Sequence, residues 1–350
     1  MKEIFFAVPG DIKTQSGGYI YDRRLALELG LQGRSLTHLE LGNSYPNPTN
    51  AHASDAALAL LALPADSIVI IDGLALGAMD AEVVAELKAQ LVALVHHPLA
   101  LEGDLDHTRR ESLFNSERIN LGHAKRVIVP SPHTAQLLIS DYSVSPDRIT
   151  VARPGIDRPD GTASLRNPPL ILSVGIQVPR KGHDVLLRAL ASIKQLRWNA
   201  TIAGPALDAD YASSLLVLAE ELGLEDRVTF AGLVSDDEIS ALYRSASLFA
   251  LATSFEGYGM VFGEAMAHGL PIVSCAAGAV SETVPLAAAR LVEPNNPSAF
   301  GAALAELLEN HVLRAELASA SLEAGGNLIS WEYSAALVGE MLDSLPAENN

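Results

Sequence analysis

The sequence predicts an α/β protein made of two doubly wound parallel-sheet domains. Short apolar runs alternate along the chain with segments whose apolar residues recur at helical spacing, which is typical of parallel strands covered by helices on both faces. With 350 residues, 49% of them apolar, the chain is long enough for more than one core. Residues 153–161 are dense in proline and glycine and separate two similar series, as an interdomain linker does.

The first series begins with a buried strand at residues 4–8, an apolar run too short for a signal peptide. Five more strands are predicted at residues 35–39, 67–71, 91–96, 126–129 and 149–151. The helices predicted between these strands cover residues 19–29, 53–63, 81–89, 105–121 and 132–140.

The second series has predicted strands at residues 170–174, 199–203, 228–230, 247–251, 272–274 and 290–292. Its predicted helices cover residues 184–194, 211–222, 236–244, 260–267, 298–308 and 311–322. A last helix, 330–345, follows the Gly325-Gly326 break. We therefore predict domains at 1–158 and 159–328, with a C-terminal segment, 329–350, that crosses back to the first domain.

Charge and composition exclude several classes of protein. The formal net charge is −18 and only 24 residues are Lys or Arg, so a nucleic-acid backbone would be repelled. No run approaches the roughly 18 apolar residues that a membrane span needs, which leaves peripheral contact as the one membrane role expected. The single cysteine, Cys275, excludes an intrachain disulfide and a multi-cysteine metal site, and it fits a reducing compartment such as the cytoplasm.

Ligands of open α/β sheets bind beyond the carboxyl ends of the strands, so the loops after strands are where function is expected. The most informative of these loops holds Glu256 and Glu264, with seven residues between them. Gly257 and Gly259 allow a ligand close to the backbone, and the helix predicted after Gly259 presents N–H groups that suit a phosphate. The alternative is a strand-to-helix turn without a binding role. Its two glutamates would then be a surface charge and a charge at the helix N-terminus.

Two cations, Arg180 and Lys181, stand directly before a predicted helix, with Gly182 allowing a tight entry. Positive charges at a helix N-terminus are unfavourable without an anion, and a diphosphate would supply one. A pair of solvated surface cations is the alternative.

The first series offers two weaker candidates. Gly17-Gly18 precedes a helix and can receive a phosphate or another polar group on backbone N–H donors, or can be a plain helix cap. His96-His97-Pro98 ends a predicted strand, and we favour His97 over His96 because strand alternation and Pro98 place it later in the loop.

Other motifs fail. The spacing of Gly257, Gly259 and Gly263 is wrong for a dinucleotide fingerprint, and no Walker-type phosphate loop or H-E-x-x-H is present. Asp104-x-Asp106 and Asp208-x-Asp210 resemble metal-binding carboxylate pairs, but each precedes a helical pattern, so helix capping is the better explanation. We therefore predict no metal site.

With these residues the chain resembles the retaining, nucleotide-sugar-dependent glycosyltransferases of family 4. Their GT-B fold has two Rossmann-like domains facing across a cleft. The resemblance is strongest from 170 to 284, where the chain reads VGIQVPRKGHDVLLRAL, then FAGLVSDDEISALYRSASLFALATSFEGYGMVFGEAMAHGLPIVSC, then GAVSETV.

The resemblance implies a role for each candidate residue. Glu256 would bind the donor sugar hydroxyls, Glu264 the ribose, and Arg180 and Lys181 the diphosphate. His97 matches the active-site histidine of the family. The backbone of the loop would help to bind the donor, through Gly257, Tyr258, Gly259, Met260 and Val261, and Gly17 and Gly18 match the first glycine-rich loop.

The implied activity is transfer of a hexose from a nucleoside diphosphate sugar to a sugar or lipid-linked acceptor, in polysaccharide or glycoconjugate biosynthesis. UDP is favoured over GDP, and the donor is a substrate rather than a cofactor. The alternatives are a nucleotide-sugar epimerase or phosphorylase on the same fold, and a non-catalytic glycosyltransferase homologue.

Overall fold

The computed structural model describes residues 2–103, 105–159, 161 and 166–346. The chain divides into two compact units: Met1–Gly155 together with Ile329–Asn350, and Ile156–Leu328. The division thus falls after Gly155, whereas the sequence predicts it after Arg158. Asp160, in the predicted linker, lies outside the described residues.

The first unit contains a six-stranded parallel sheet in the order β2-β1-β3-β4-β5-β6. Its strands are β1 Ile4–Pro9, β2 Leu36–Leu41, β3 Ile68–Asp72, β4 Gln90–Leu94, β5 Arg126–Val129 and β6 Ile149–Val151. Every residue of β3 and β4 is buried, because neighbouring strands flank them and helices cover both faces of the sheet.

The helices of this unit are α1 Gly17–Leu31, α2 Asn50–Leu61, α3 Gly73–Leu76, α4 Ala81–Ala85, α5 His107–His123 and α6 Pro132–Ser140. The short helix α3 is absent from the sequence prediction, and Asp72 caps it by accepting the Leu74 N–H at 2.8 Å. The fourth strand ends at Leu94, not at His96 as predicted. Asp106 caps α5 as predicted, while Asp104 lies outside the described residues.

The second unit contains another six-stranded parallel sheet, in the order β12-β11-β10-β7-β8-β9. Its strands are β7 Leu170–Val174, β8 Asn199–Ala203, β9 Val228–Gly232, β10 Leu248–Leu251, β11 Ile272–Cys275 and β12 Ala289–Val292. Counted from β7, this is the 3-2-1-4-5-6 order of the Rossmann fold. Cys275 is fully buried in the core of the unit, and this burial raises the pKa of its thiol to about 12.

The helices of the second unit are α7 His183–Ser192, α8 Ala209–Glu221, α9 Asp236–Ser245, α10 Met260–Ala267, α11 Val280–Thr283, α12 Pro297–Glu309 and α13 His311–Gly326. Asp208 caps α8 by accepting the Tyr211 N–H at 2.9 Å, as the sequence predicts. No helix within the described part of the chain has the length and apolar character required to cross a membrane.

The last helix, α14 Trp331–Asp343, packs against α1 of the first unit. Trp331 is 4% exposed and meets the ring of Tyr21 edge-on at 5.5 Å. A Cβ on Gly155 would lie 2.1 Å from the Trp331 nitrogen, so only glycine fits beneath the start of this helix. The first unit is therefore built from the chain segments that precede and follow the second unit in the sequence.

In each sheet, the strand order reverses at one point, where two adjacent strands lead to loops on opposite sides. The reversal lies between β1 and β3 in the first unit, and between β7 and β10 in the second. Ligands of such sheets bind beyond the carboxyl ends of these strands. The loops that follow them are therefore where the candidate residues must be sought.

Candidate active site

The loops after β7 and β10 are joined to each other by short contacts. Gly182 closes the first loop with a φ of +63°, and a Cβ there would lie 2.1 Å from the carbonyl oxygen of Ala252. The carbonyl oxygen of Arg180 accepts the Ser254 N–H at 2.9 Å and the Thr253 hydroxyl at 3.1 Å. Glycine at position 182 is therefore required for the two loops to pack together.

This packing brings the predicted charged residues onto one carboxylate. Lys181 Nζ lies 2.7 Å from Glu256 Oε1, and Arg180 lies 3.8 Å from the same oxygen. The hydroxyl of Thr253 donates to that oxygen at 2.9 Å. All three charged side chains are nearly buried, with exposed fractions of 6% for Glu256, 11% for Arg180 and 12% for Lys181. The alternative of a pair of solvated surface cations is thus not what the fold contains.

The environment keeps Glu256 ionised. Burial by itself raises the pKa of this carboxyl, but the charges of Lys181 and Arg180, with the hydrogen bonds from Lys181 and Thr253, lower it further than burial raises it. The group consists of two cations and one carboxylate, so its net charge is positive. A net positive group beside two strand-end loops is a suitable place for an anion such as a diphosphate.

The loop from Gly257 to Val261 is held by backbone contacts. Gly259 has a φ of +83° and begins α10, and a Cβ there would lie 2.6 Å from the ring of Phe262. Gly278, which the sequence reasoning did not identify, has a φ of +57°, and its Cβ would lie 2.3 Å from the Glu256 carbonyl oxygen. That oxygen accepts the Ala279 N–H at 2.8 Å. The segment after β11 therefore sets the backbone of the glutamate loop.

Glu264 lies in α10, where Tyr243 of α9 donates its hydroxyl to Oε2 at 2.7 Å. Burial raises the pKa of Glu264, the Tyr243 hydrogen bond opposes this, and the charges of Asp157 and Asp236 raise it further. The sequence predicted Glu264 but not its partner, because α9 and α10 are separate helices and nothing in their local patterns pairs them.

In the first unit, the glycine pair and one histidine come together. Gly17 and Gly18 are the first two residues of α1. A Cβ on Gly18 would lie 3.1 Å from the His96 ring, whereas a Cβ on Gly17 would meet no atom within 4 Å. The absence of a side chain at Gly18 therefore allows the His96 ring to pack against the start of α1, and no other residue packs against Gly17 on its side-chain face.

The two histidines have different surroundings. His97, which the sequence favoured, pairs with Glu102 at 2.5 Å between Nε2 and Oε1. His96 instead places Nε2 at 3.0 Å from Asp22 and 3.4 Å from Asp72, and its ring meets Tyr21 edge-on at 5.2 Å. His97 stays a predicted site residue, and the contact with Gly18 adds His96 to the candidates. Both histidines lie in the loop after β4, because this strand ends at Leu94, two residues earlier than predicted.

Asp22, Asp72 and His96 form a buried charged group. Burial lowers the pKa of His96, but the charge and hydrogen bond of Asp22 and the contact with Asp72 outweigh this and raise it to about 10. Burial, followed by the Asp72 charge, raises the pKa of Asp22 to about 7 against the opposing effect of His96. A protonated His96 thus supplies the positive charge that the two carboxylates need.

Among the residues that the structure describes, these three are also the group with metal-binding geometry, since one ligand atom from each lies within 4.8 Å of the others. The 3.0 Å distance from His96 Nε2 to Asp22 Oδ1 is equally that of a hydrogen bond, and Asp72 lies at an ion-pair distance of 3.4 Å. The absence of a metal site stays a prediction.

Two family models match the chain. Residues 24–158 match the model for Glycosyltransferase Family 4, and residues 159–323 match the model for Glycosyl transferases group 1. Together they leave only the two ends of the chain unmatched.

The curated relatives that match include two enzymes of the same name. The D-inositol 3-phosphate glycosyltransferase of Mycolicibacterium gilvum is 32% identical over 233 residues, which are 63% of this chain and 52% of that protein. The enzyme of that name from Nocardioides sp. is 32% identical over 270 residues, 70% of this chain and 58% of that protein. The chain spans about half the length of the curated relatives it matches.

Solved structures share the fold across nearly the whole chain. Sucrose-phosphate synthase from Thermosynechococcus elongatus has a TM-score of 0.84 at 21% identity, covering 98% of both chains. Anabaena HepE in complex with UDP-glucose has a TM-score of 0.78 at 19% identity, covering 99% of this chain and 100% of HepE.

Proposed function

The chain belongs to the family 4 glycosyltransferases of the GT-B fold, and from that premise we propose that it moves a hexose from a nucleoside diphosphate sugar to an acceptor hydroxyl, with retention of anomeric configuration. The observation that carries the proposal is the convergence of Lys181, Arg180 and Thr253 on one oxygen of Glu256. This group sits in the loops that follow β7 and β10, where a doubly wound sheet binds its ligand.

We assign the diphosphate to the two cations. When the bond between the anomeric carbon and the phosphate oxygen breaks, negative charge develops on the departing diphosphate. Lys181 and Arg180 are held in place by Glu256 and by the loop backbone, so no reorganisation is needed to stabilise that charge. The N–H groups of the loop from Gly257 to Val261 add to this at the start of α10.

We assign hydroxyl recognition to the two glutamates. Glu256 is ionised and so accepts hydrogen bonds from the donor sugar, while Glu264 accepts from the ribose. The donor is a substrate, and we propose no separate cofactor. UDP is the favoured nucleotide, and the solved complex of HepE with UDP-glucose supports that choice.

The proposed reaction balances without a protein nucleophile. The acceptor oxygen forms its bond to the anomeric carbon on the face that the diphosphate leaves, and its proton passes to the leaving diphosphate. The sugar therefore keeps its configuration. No oxidant, reductant or metal takes part in this scheme.

We assign acceptor recognition to the first unit, through His97 and the Gly17-Gly18 pair, with His96 beside Gly18. The acceptor is a sugar or a lipid-linked sugar, in polysaccharide or glycoconjugate biosynthesis. Peripheral membrane contact is compatible with the second kind of acceptor.

A thermal-shift screen with UDP, GDP, ADP and their hexose derivatives tests the donor assignment. A bound ligand stabilises the folded state, so the nucleoside diphosphate sugar that the protein uses is expected to raise Tm the most. Incubation with that donor alone should leave it unisomerised, and adding an acceptor should release the free nucleoside diphosphate. Isomerised donor would favour an epimerase, and the absence of any nucleotide-induced shift would overturn the proposal.

A further inference from the structure

The carboxyl group of Glu264 is hydrogen-bonded by Tyr243. Its hydroxyl donates to Glu264 Oε2 at 2.7 Å, and the side chain is only 2% exposed. Hydrogen bonds to a charged acceptor are stronger than those between neutral groups. The contact therefore restricts the orientation of the carboxylate.

The ring of Tyr243 is itself held by two stacked rings. It stacks on His268 with a centroid distance of 5.0 Å and an interplanar angle of 13°, and on Phe249 at 6.1 Å and 21°. Nδ1 of His268 lies 2.8 Å from the backbone oxygen of Glu264, which ties the stack to α10. The phenol hydroxyl is thus directed at Oε2 by packing as well as by the hydrogen bond.

The Tyr243 hydrogen bond acts against the effects that favour protonation of Glu264. Burial raises the pKa of Glu264, and Asp157 and Asp236 raise it further, so all three effects favour a protonated carboxyl that accepts hydrogen bonds poorly. Tyr243 opposes them. Burial and the Glu264 charge raise the pKa of Tyr243 well above its ordinary value, so the phenol keeps its proton and remains a donor.

We propose that Tyr243 positions Glu264 for the ribose of the donor nucleotide, so that the pair, rather than the glutamate alone, distinguishes ribonucleotides from deoxyribonucleotides. The inference rests on the proposed function, which assigns the ribose to Glu264. With Oε2 engaged by Tyr243, Glu264 presents an acceptor of fixed orientation to a ribose hydroxyl.

Calorimetric titration with UDP, 2′-deoxy-UDP and 3′-deoxy-UDP tests the proposal. The wild-type protein is expected to prefer UDP over at least one deoxy form by about tenfold, the effect of one hydrogen bond to a charged group. In Tyr243→Phe the affinity for UDP should fall to within about twofold of that deoxy form, because the carboxylate is no longer oriented.

Tyr211→Phe is the matched control. Tyr211 also contacts a carboxylate, Asp184 Oδ1 at 2.9 Å, and it belongs to the same unit, but it has no contact with Glu264. This variant loses that hydrogen bond and the one that the Tyr211 hydroxyl accepts from the Asp184 N–H at 3.3 Å, and it should keep the wild-type ratio between UDP and the deoxy forms.

Each outcome decides the question. A folded Tyr243→Phe variant that keeps the preference for UDP overturns the inference, as does a wild-type protein that binds UDP and both deoxy forms equally. A wild-type protein that binds no nucleoside diphosphate overturns the proposed function instead. Should Tyr243→Phe fail to fold, 3-fluorotyrosine at position 243 replaces it, and its more acidic hydroxyl should strengthen the preference for UDP; an unchanged ratio overturns the inference.

Discussion

Lys181 Nζ lies 2.7 Å from Glu256 Oε1, although the two residues are separated by 75 positions in the chain. The contact joins the loop after β7 to the loop after β10 at the reversal point of the second sheet. Because both side chains are nearly buried, each depends on the other for charge compensation. This pair is the basis of the proposed donor site.

Replacing Lys181 with Met should reduce turnover by about a hundredfold to a thousandfold, because one of the two cations proposed to stabilise the departing diphosphate is lost. Steady-state release of the nucleoside diphosphate measures the effect, with circular dichroism to check the fold. Lys194→Met is the matched control, since Lys194 is exposed and contacts the Leu222 carbonyl oxygen at 2.8 Å. Turnover near the wild-type rate in a folded Lys181→Met variant would refute the role of this lysine.

Glu256→Gln should remove part of the acid sensitivity of the protein. The pKa of Glu256 is lowered in the folded state, because the cations Lys181 and Arg180 overcome the effect of burial. The stability that this carboxylate contributes is therefore present above its ordinary pKa and is lost as the pH falls through the lowered folded value. Tm measured against pH should drop less steeply below about pH 4 in the variant than in the wild type. Parallel curves would contradict the assignment.

Asp22→Asn should change the pH dependence in the opposite direction. The pKa of Asp22 is raised to about 7 and that of His96 to about 10, so the folded state binds more protons than the unfolded state across this range. Stability should therefore fall as the pH rises from about 4 to about 10, and the variant should show a smaller fall. In NMR spectra, the His96 imidazole should lose its proton at a lower pH in the variant. An unchanged His96 titration would show that Asp22 does not hold its proton.

Gly278→Ala should destabilise the second unit by about 2 to 3 kcal/mol and reduce donor binding, since an alanine is strained at this φ and its Cβ has no space. The added Cβ would lie 2.3 Å from the Glu256 carbonyl oxygen. Gly326→Ala is the control, because a Cβ there meets no atom within 4 Å. Chemical denaturation and nucleotide titration measure the two effects, and equal stability of the two variants would argue against the close contact.

Chelation should leave turnover unchanged. We predict that EDTA, and added Mg²⁺ or Mn²⁺, alter the rate by less than about twofold, because in the proposed mechanism Lys181 and Arg180 supply the positive charge that a metal would otherwise bring to the diphosphate. The comparison needs only the wild-type enzyme under steady-state conditions. A different result would assign a metal to the group of Asp22, Asp72 and His96. In that case EDTA would abolish the activity of the wild type and one metal would restore it, whereas that metal would not activate Asp22→Asn.

Local sequence signals predicted much of this molecule. Buried parallel strands are short continuous apolar runs, so both series of strands could be read from the chain to within a few residues. Asp106 and Asp208 were predicted as helix caps because capping acts within three residues. The helix α3 was missed because four residues are too few for a helical pattern.

Contacts between distant elements could not be predicted in this way. The end of β4 was placed two residues too late. The preference for His97 came from strand alternation and Pro98, and neither signal reveals that His96 lies beside Gly18 and Asp22. Tyr243, Asp22 and Gly278 were not identified, since each acquires its partner only when separate elements pack together.

By itself the sequence determined the alternation of strands and helices, the family resemblance, and which loops hold the charged and glycine residues. All of these are properties of short segments. Only the tertiary structure decided the strand order and therefore which loops meet, so that Lys181 finds Glu256, Tyr243 finds Glu264, and His96 finds Asp22. The physical reason is that a hydrogen bond or ion pair between two loops depends on where each strand ends and which strand lies beside it, and both are set by packing over the whole sheet.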